Sequence, residues 1–355
     1  MSQPPERRHA VMKDIAKACN VSISTVSLVL SQDSRIPLKT KQRVLAAVKS
    51  FGYRPNLLAR NLSRQSSMTM ACVVPYETFL DSPGFYNDLL CSVYEAVSLG
   101  GYRMIFEMMT PQFLRRRFYL RLFRERSIDG MIILYPRKSD LYLRELEPFR
   151  NSVVVLGSTF DSNPLYSITP NHKVMGKLAC EHLVALGHKK IAFFAFDQDL
   201  ACIEQRRAGY AEALNNAGLE TQGAMLLSAK NVFDLVSPDT IKSLRLQGVT
   251  GMVVSTDSLV PMLLRAVFEA GLKVPEDLSI VSADDQLFAR SFSPPLSTVS
   301  NSCAKMATQA MKRLTVLQDQ PDSLSFIFRD QVAGGEGKVE FVESELVLRA
   351  SARPI

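Results

Sequence analysis

The sequence predicts an α/β protein: a small, basic, all-helical module followed by two successive doubly wound, parallel-sheet subdomains. Three observations carry this. Positive charge is confined to the N-terminus, where residues 1–65 hold twelve Lys and Arg against three acids, while the rest of the chain holds 30 basic and 32 acidic residues. That module is apolar-periodic at helical spacing rather than low in complexity. Beyond Ser67, short apolar runs alternate with helical stretches, the pattern of βαβ units.

Composition bounds the answer further. A chain of 355 residues, 46% hydrophobic and 22% charged, is long enough for roughly two to three domains and too apolar for wholesale disorder. No apolar stretch reaches the ~18 residues of a membrane span. The N-terminus, MSQPPERRHA, has no apolar segment of a secretory signal, so a cytoplasmic location is expected. Six cysteines are scattered without a C-x-x-C pair, as reduced and mostly buried thiols would be. With four His at these spacings, neither a metal site nor a cofactor is expected.

The basic module reads as three helices. Lys13 to Cys19 carries Ile15, Ala16 and Cys19 at helical spacing. Asn20 tolerates a left-handed backbone and can turn the chain tightly. Ser22 is a good N-cap for a second helix from Ile23 to about Ser31, with Val26 and Leu30 facing inward. A third helix runs from about Leu38 to Phe51 and is ended by Gly52. Two short helices about a tight turn, in a basic surround, make a helix-turn-helix DNA reader over residues 1–55; a generic three-helix bundle is the alternative. Next, Pro55 disfavours helix at Arg54, and Asn56 can cap a short helix over 57–63 that is too short to persist alone in water.

The order of these residues is specific. VMKDIAKACNVSISTVSLVLS followed by RVLAAVKSFGYRPNLLARNL resembles the lactose-repressor/galactose-repressor (LacI/GalR) family of bacterial transcription regulators. The likeness continues through LVALGHKKIAFF, RRAGYAEALNNAGL, EAGLKVPEDLSIVSADD, SPPLSTV and ESELVLR, nearly the whole chain. It implies that Ile23, Ser24 and Leu28 face the bases, that Ser22, Thr25 and Ser27 position the helix against phosphates, and that residues 56–67 form a hinge helix and linker. There Asn56 is the cap and Leu62 the apolar wedge that opens a minor groove; a flexible linker is the alternative. Three positions depart from the pattern: Val11 stands at the usual Thr cap, Asn20 at the turn Gly, and Leu28 where an Arg is frequent. Leu can touch a thymine methyl but cannot donate to guanine. A core role is the alternative for Leu28.

In the large segment, runs at Met70–Val74, Met104–Met108, Met131–Tyr135 and Val153–Leu156 read as buried parallel strands, with helices at Asn87–Leu99 and Phe113–Arg126. A second series follows at Ile191–Phe196, Met252–Ser255 and Ser279–Ala283, with helices at Met175–Leu186 and Arg206–Ala217. Open α/β sheets bind ligands beyond the carboxyl ends of their strands, so two facing subdomains create a cleft. The resemblance implies a periplasmic-binding-protein-like core with three crossings, expected near 163–166, 293–296 and 322–327. That places residues 68–165 with 295–324 in one subdomain and 166–294 with 325–355 in the other. Tyr76, Ser82 and Phe85 follow the first strand and offer aromatic faces and polar tips. Arg206 matches the family's effector-binding Arg, and Asp257 and Asp284 match acidic positions at the pocket, each with loop capping as the alternative. Gly157 or Ser158, Thr256 and Pro170 stand where the family has Asp, Asn and Asp.

Other signals fail. Gly334-Gly335-Glu336-Gly337-Lys338 lacks the first Gly and the final Ser/Thr of a phosphate loop. No G-x-S-x-G or H-E-x-x-H occurs, so no enzyme is expected. Arg115, Arg116, Arg117, Arg121, Arg124 and Arg126 read as a solvated helix face. The resemblance thus implies a sequence-specific DNA-binding transcription regulator, a repressor. It would act as a homodimer on a palindromic duplex under a small-molecule effector, a sugar. The alternative, a sugar-binding receptor without a transcriptional role, leaves the basic module unexplained.

Overall fold

A computed structural model describes residues 10–30, 33–53, 66–76, 79, 83–158, 163–196, 200–220, 225–227, 236–318 and 338–355. The chain divides into two compact units at Ser67/Met68. The expected hinge residues Asn56 and Leu62, as well as Ser82, lie outside the described residues.

The first unit holds α1 (Met12–Ala18), α2 (Ile23–Leu30) and α3 (Leu38–Ser50). Its core is Ile15, Ala16, Cys19, Val26, Val29 and Val44. Val29, rather than Leu30, is the second buried residue of α2. Asn20 does take the left-handed backbone, with φ 48°, and so turns the chain between α1 and α2. Val11 cannot cap α1 with its own side chain, but its N–H donates to Asp14 Oδ2 at 3.0 Å, which ties down the helix start from inside the first turn. Gly52, with φ 60°, ends α3.

The second unit contains two six-stranded sheets, each parallel apart from the antiparallel edge strand β12 (Leu346–Val347). The first sheet has the order β11-β5-β4-β3-β1-β2, formed by β1 (Thr69–Pro75), β2 (Arg103–Met109), β3 (Gly130–Leu134), β4 (Val153–Leu156), β5 (Tyr166–Pro170) and β11 (Val339–Val342). The second has the order β12-β10-β9-β8-β6-β7, with β6 (Ile191–Phe196), β7 (Met225–Leu227), β8 (Gly251–Val254), β9 (Ser279–Asp284) and β10 (Ser297–Ser300). Central strands are buried along their whole length, because helices cover both faces of a doubly wound sheet. Those helices include α4 (Pro83–Leu99), α8 (His172–Ala185), α9 (Ala201–Asn216) and α12 (Cys303–Gln318). The helix expected over Phe113–Arg126 is instead two, α5 (Pro111–Arg115) and α6 (Phe118–Arg124). They are broken where Arg117 adopts φ 48°.

The crossings differ from the sequence reading, each coming one strand later where the chain is described. β5 stays in the first sheet because it is hydrogen-bonded on both edges, to β4 and to β11. The chain therefore crosses at 170–172 rather than 163–166. β10 pairs in parallel with β9, so it belongs to the second sheet and the next crossing falls at 300–303 rather than 293–296. The expected crossing at 322–327 lies outside the described residues, but β11 pairs with β5, so the last passage to the second sheet is at 342–346. Residues 295–300 thus belong with the second subdomain, and 166–170 and 339–342 with the first. A strand flanked on both edges cannot leave its sheet without forfeiting a ladder of hydrogen bonds.

Candidate functional site

Two sites take shape, one in each unit. In the headpiece, Ser22 Oγ accepts the Thr25 N–H at 3.0 Å and shares a hydrogen bond with Thr25 Oγ1 at 2.8 Å. This satisfies one of the free donors at the start of α2. Ile23, Ser24 and Ser27 are exposed on one face of the helix and Leu28 is half-buried at its edge, while Val26 and Val29 face the core. The short apolar and hydroxyl-bearing face is what a recognition helix presents to base edges. Around it, Lys39, Arg43 and Lys49 are exposed on α3. Arg35, by contrast, is held by Asp33 at 2.7 Å, and the same contact lowers the Asp33 pKa to about 2.

In the core, the ends of β3, β8 and β9 and the first turns of α4 and α9 surround a cavity. It is lined by Phe85, Tyr86, Tyr135, Leu200, Cys202, Ile203, Arg206, Thr256, Asp284 and Asn301. Its polar wall is a buried ion pair: Arg206 Nη2 lies 2.7 Å from Asp284 Oδ1, with both side chains about 5% exposed or less. Asp284 also accepts from Thr256 Oγ1 at 2.6 Å and Asn301 Nδ2 at 3.2 Å. The guanidinium donates from Nη1 to the Ser255 carbonyl and from Nε to His172 Nδ1, the latter at 3.2 Å. A carboxylate offers about four acceptor sites and a guanidinium five donors, so each partner retains capacity for a ligand hydroxyl.

Local sequence explains why Arg206 is held so firmly. Helices α8 and α9 cross at backbone contact because Gly176 and Gly209 sit at the crossing. A Cβ at Gly176 would stand 1.9 Å from the Arg206 carbonyl oxygen, and one at Gly209 would stand 1.8 Å from that of Lys173. The close crossing brings His172, the first residue of α8, against Arg206. Burial and the guanidinium hold the His172 pKa well below its usual value. The ring is therefore neutral, accepts at Nδ1 and carries its proton on Nε2, which is buried without a hydrogen-bond partner among the described residues.

The expected site residues divide. Arg206, Asp284 and Phe85 line the cavity together; Phe85 does so from the start of α4 rather than from a loop. Tyr76 is exposed just beyond β1 and is not among the lining residues. Asp257 is fully buried beside the cavity but turned away from it: its oxygens accept from the Gln286 N–H at 2.8 Å and Thr298 Oγ1 at 2.9 Å. Burial and the neighbouring Asp284 raise its pKa to about 7. Sequence reasoning missed Tyr135, Leu200, Cys202, Ile203, His172 and Asn301 as part of this site. Tyr135 ends a strand already read correctly, so the rule of carboxyl-terminal strand ends could have found it. Asn301 follows β10, a strand not read, and so had no such signal. Gly157 makes room for Tyr135: a Cβ there would lie 2.7 Å from the Tyr135 ring.

Comparison with known proteins agrees with this architecture. Residues 11–56 match the family described as bacterial regulatory proteins, lacI family. Residues 68–237 match the periplasmic binding proteins and sugar binding domain of the LacI family, and 180–329 a periplasmic binding protein-like domain. Among relatives, the HTH-type transcriptional repressor PurR of Vibrio atlanticus (strain LGP32) is 28% identical over 86% of this chain and 91% of its own. The HTH-type transcriptional regulator MalR of Staphylococcus xylosus is 28% identical over 81% of this chain and 85% of its own. A crystal structure of the lac repressor dimer bound to operator and the anti-inducer ONPF shares the fold, with a TM-score of 0.75 at 23% identity over 98% of this chain and 100% of that one. A basic helix-turn-helix and a two-sheet core joined in this order, each matched by its own family, show that the chain belongs to the lacI family of bacterial regulatory proteins.

Proposed function

We propose that the protein is a sequence-specific DNA-binding transcription regulator, a repressor, controlled by a carbohydrate bound between its core subdomains. It works as a homodimer on a palindromic duplex in the cytoplasm and catalyses no reaction. The observation that supports this best is the pairing on one chain of a capped, hydroxyl-bearing helix in a basic unit with a cavity built around a buried ion pair. Two-fold symmetry follows from one reader per protomer on a palindrome. A carbohydrate suits the cavity because Arg206 and Asp284 pair with vicinal hydroxyls. The faces of Phe85, Tyr86 and Tyr135 suit the apolar face of a sugar ring. Ser22, Thr25 and Ser27 position α2 on phosphates, Ile23, Ser24 and Leu28 read bases, and Asn56 and Leu62 serve the hinge.

The chain has no Trp. A Leu200→Trp variant therefore carries a single indole at the cavity wall. Titrating it with glucose, galactose, maltose, cellobiose and ribose is expected to change its emission with at least one sugar. In-vitro selection of duplex DNA by the wild-type chain is expected to return a palindrome, and the active sugar to shift its affinity. No enriched motif would remove the regulatory reading; a motif without any sugar response would remove the carbohydrate.

A further inference from the structure

The cavity wall closes into a circuit that runs through two of the three crossings. Asp284 and Arg206 belong to the second subdomain, on β9 and α9. Arg206 bonds His172, which opens α8 directly after the crossing at 170–172. Asp284 bonds Asn301, which lies in the crossing between β10 and α12. Asn301 Oδ1 in turn accepts a hydrogen bond from the Tyr135 hydroxyl at 3.2 Å. Tyr135 is in the first subdomain, at the end of β3, and its ring lies 6.0 Å from that of His172. The order round the circuit is thus Tyr135, Asn301, Asp284, Arg206, His172 and back to Tyr135.

Tyr135 is built to hold this place. Its N–H donates to the Leu156 carbonyl at 2.7 Å, its backbone takes φ 38°, and its ring rests on Gly157 and meets Phe85 edge-on at 5.0 Å. The residue is 3% exposed and Asn301 1% exposed. A hydroxyl buried this far gains from Asn301, its one partner among the described residues, what water would otherwise supply, so losing that partner leaves a costly orphan. At the rim, the subdomains also meet through Lys138 and Glu204 at 2.5 Å and through Ser158 and Gln205 at 3.0 Å. Glu204 is half exposed, which screens the first of these.

We propose that Tyr135 is the positioning residue that ties the first subdomain to the Arg206–Asp284 pair, its hydroxyl acting through Asn301. Any ligand group that takes the free capacity of Asp284 or the amide of Asn301 acts on this tie, so cavity occupancy and subdomain arrangement share one set of hydrogen bonds. That consequence rests on the effector reading given above; the tie itself does not, and it is tested on the ligand-free protein.

Tyr135→Phe keeps the ring and removes the hydroxyl. Hydrogen exchange on the full-length, ligand-free chain should then speed up at least tenfold in 170–174 and 300–304. Exchange in β6 and β8 and in residues 10–53 should stay as in the wild type. Asn301→Ser should reproduce the pattern, and the double variant should add nothing to either single one, because one link is broken once. Lys138→Gln, at the exposed rim, should change these segments less than Tyr135→Phe. Unchanged exchange in Tyr135→Phe overturns the proposal, as does uniform acceleration across the core, which marks lost stability without a tie. So do effects that multiply in the double variant. Failure of every sugar titration would remove the effector reading and leave this result standing.

Discussion

At the residue scale, Asp257 and Asp284 show how two carboxylates a few positions from one cavity divide their roles. Asp284 faces the cavity and has Arg206 as counterion. Asp257 is satisfied by the Gln286 N–H and the Thr298 hydroxyl and has no such cation, so burial raises its pKa to about 7. The folded state then holds a proton that the unfolded chain releases near pH 4. Stability from this group is greatest in acid, declines as pH rises from about 4 to 7, and is level above that. Glu212, paired with Lys173 and Lys177, has its pKa lowered to about 2 and works in the opposite sense at lower pH. Urea unfolding of Asp257→Asn against wild type isolates the Asp257 contribution. The difference should favour wild type more at pH 5 than at pH 6 and level off by pH 8. A difference that does not vary with pH would mean that Asp257 is ionised throughout.

At the scale of elements, the tightest constraint is the α8–α9 crossing. Gly176 and Gly209 allow the two backbones to touch, and that contact sets His172 against Arg206. A methyl at Gly209 meets backbone rather than a movable side chain, so the helices must separate. Gly209→Ala should lower stability by about 3 kcal/mol, the upper end for overpacking, despite the better helix propensity of Ala. Thermal unfolding checks this; a Tm within about a degree of wild type would show that the crossing yields freely. This close approach explains what was legible in the sequence. Apolar periodicity placed the strands Met70–Val74 and Ser279–Ala283 and the headpiece helices, because burial imposes the period. The motif R-R-A-G-Y pointed to Arg206. The partners of the Arg206–Asp284 pair were not legible, because His172 reaches Arg206 through a helix crossing and Asn301 reaches Asp284 from the end of β10, a strand not read in the sequence. Crossings were misplaced for the same reason: β5 and β10 are short, and their sheet is decided by pairing across the fold rather than by local pattern.

At the scale of the whole molecule, charge distribution separates the two units more sharply than any motif. The first 65 residues carry a large positive excess and the remainder is slightly acidic, so attraction to a polyanion belongs to the headpiece. Each phosphate neutralised releases close to one counterion, which fixes the slope of log affinity against log salt at about −0.9 per contact on duplex DNA. With roughly six to ten contacts, affinity should fall by about 10³–10⁵ between ~50 and ~200 mM salt. Core arginines supply a control within the same chain. Arg115 and Arg124 are exposed on α5 and α6 and Arg116 just after α5, as Lys39 and Lys49 are on α3. Replacing Lys39 and Lys49 with Gln should flatten the slope on random-sequence duplex by about one unit for each that touches a phosphate. Replacing Arg115, Arg116 and Arg124 with Gln should leave the slope unchanged, because those side chains sit on a unit that has no net attraction for DNA. Flattening by the core substitutions would assign part of the DNA contact to the core, and a slope near zero in the wild type would remove the DNA-binding reading altogether.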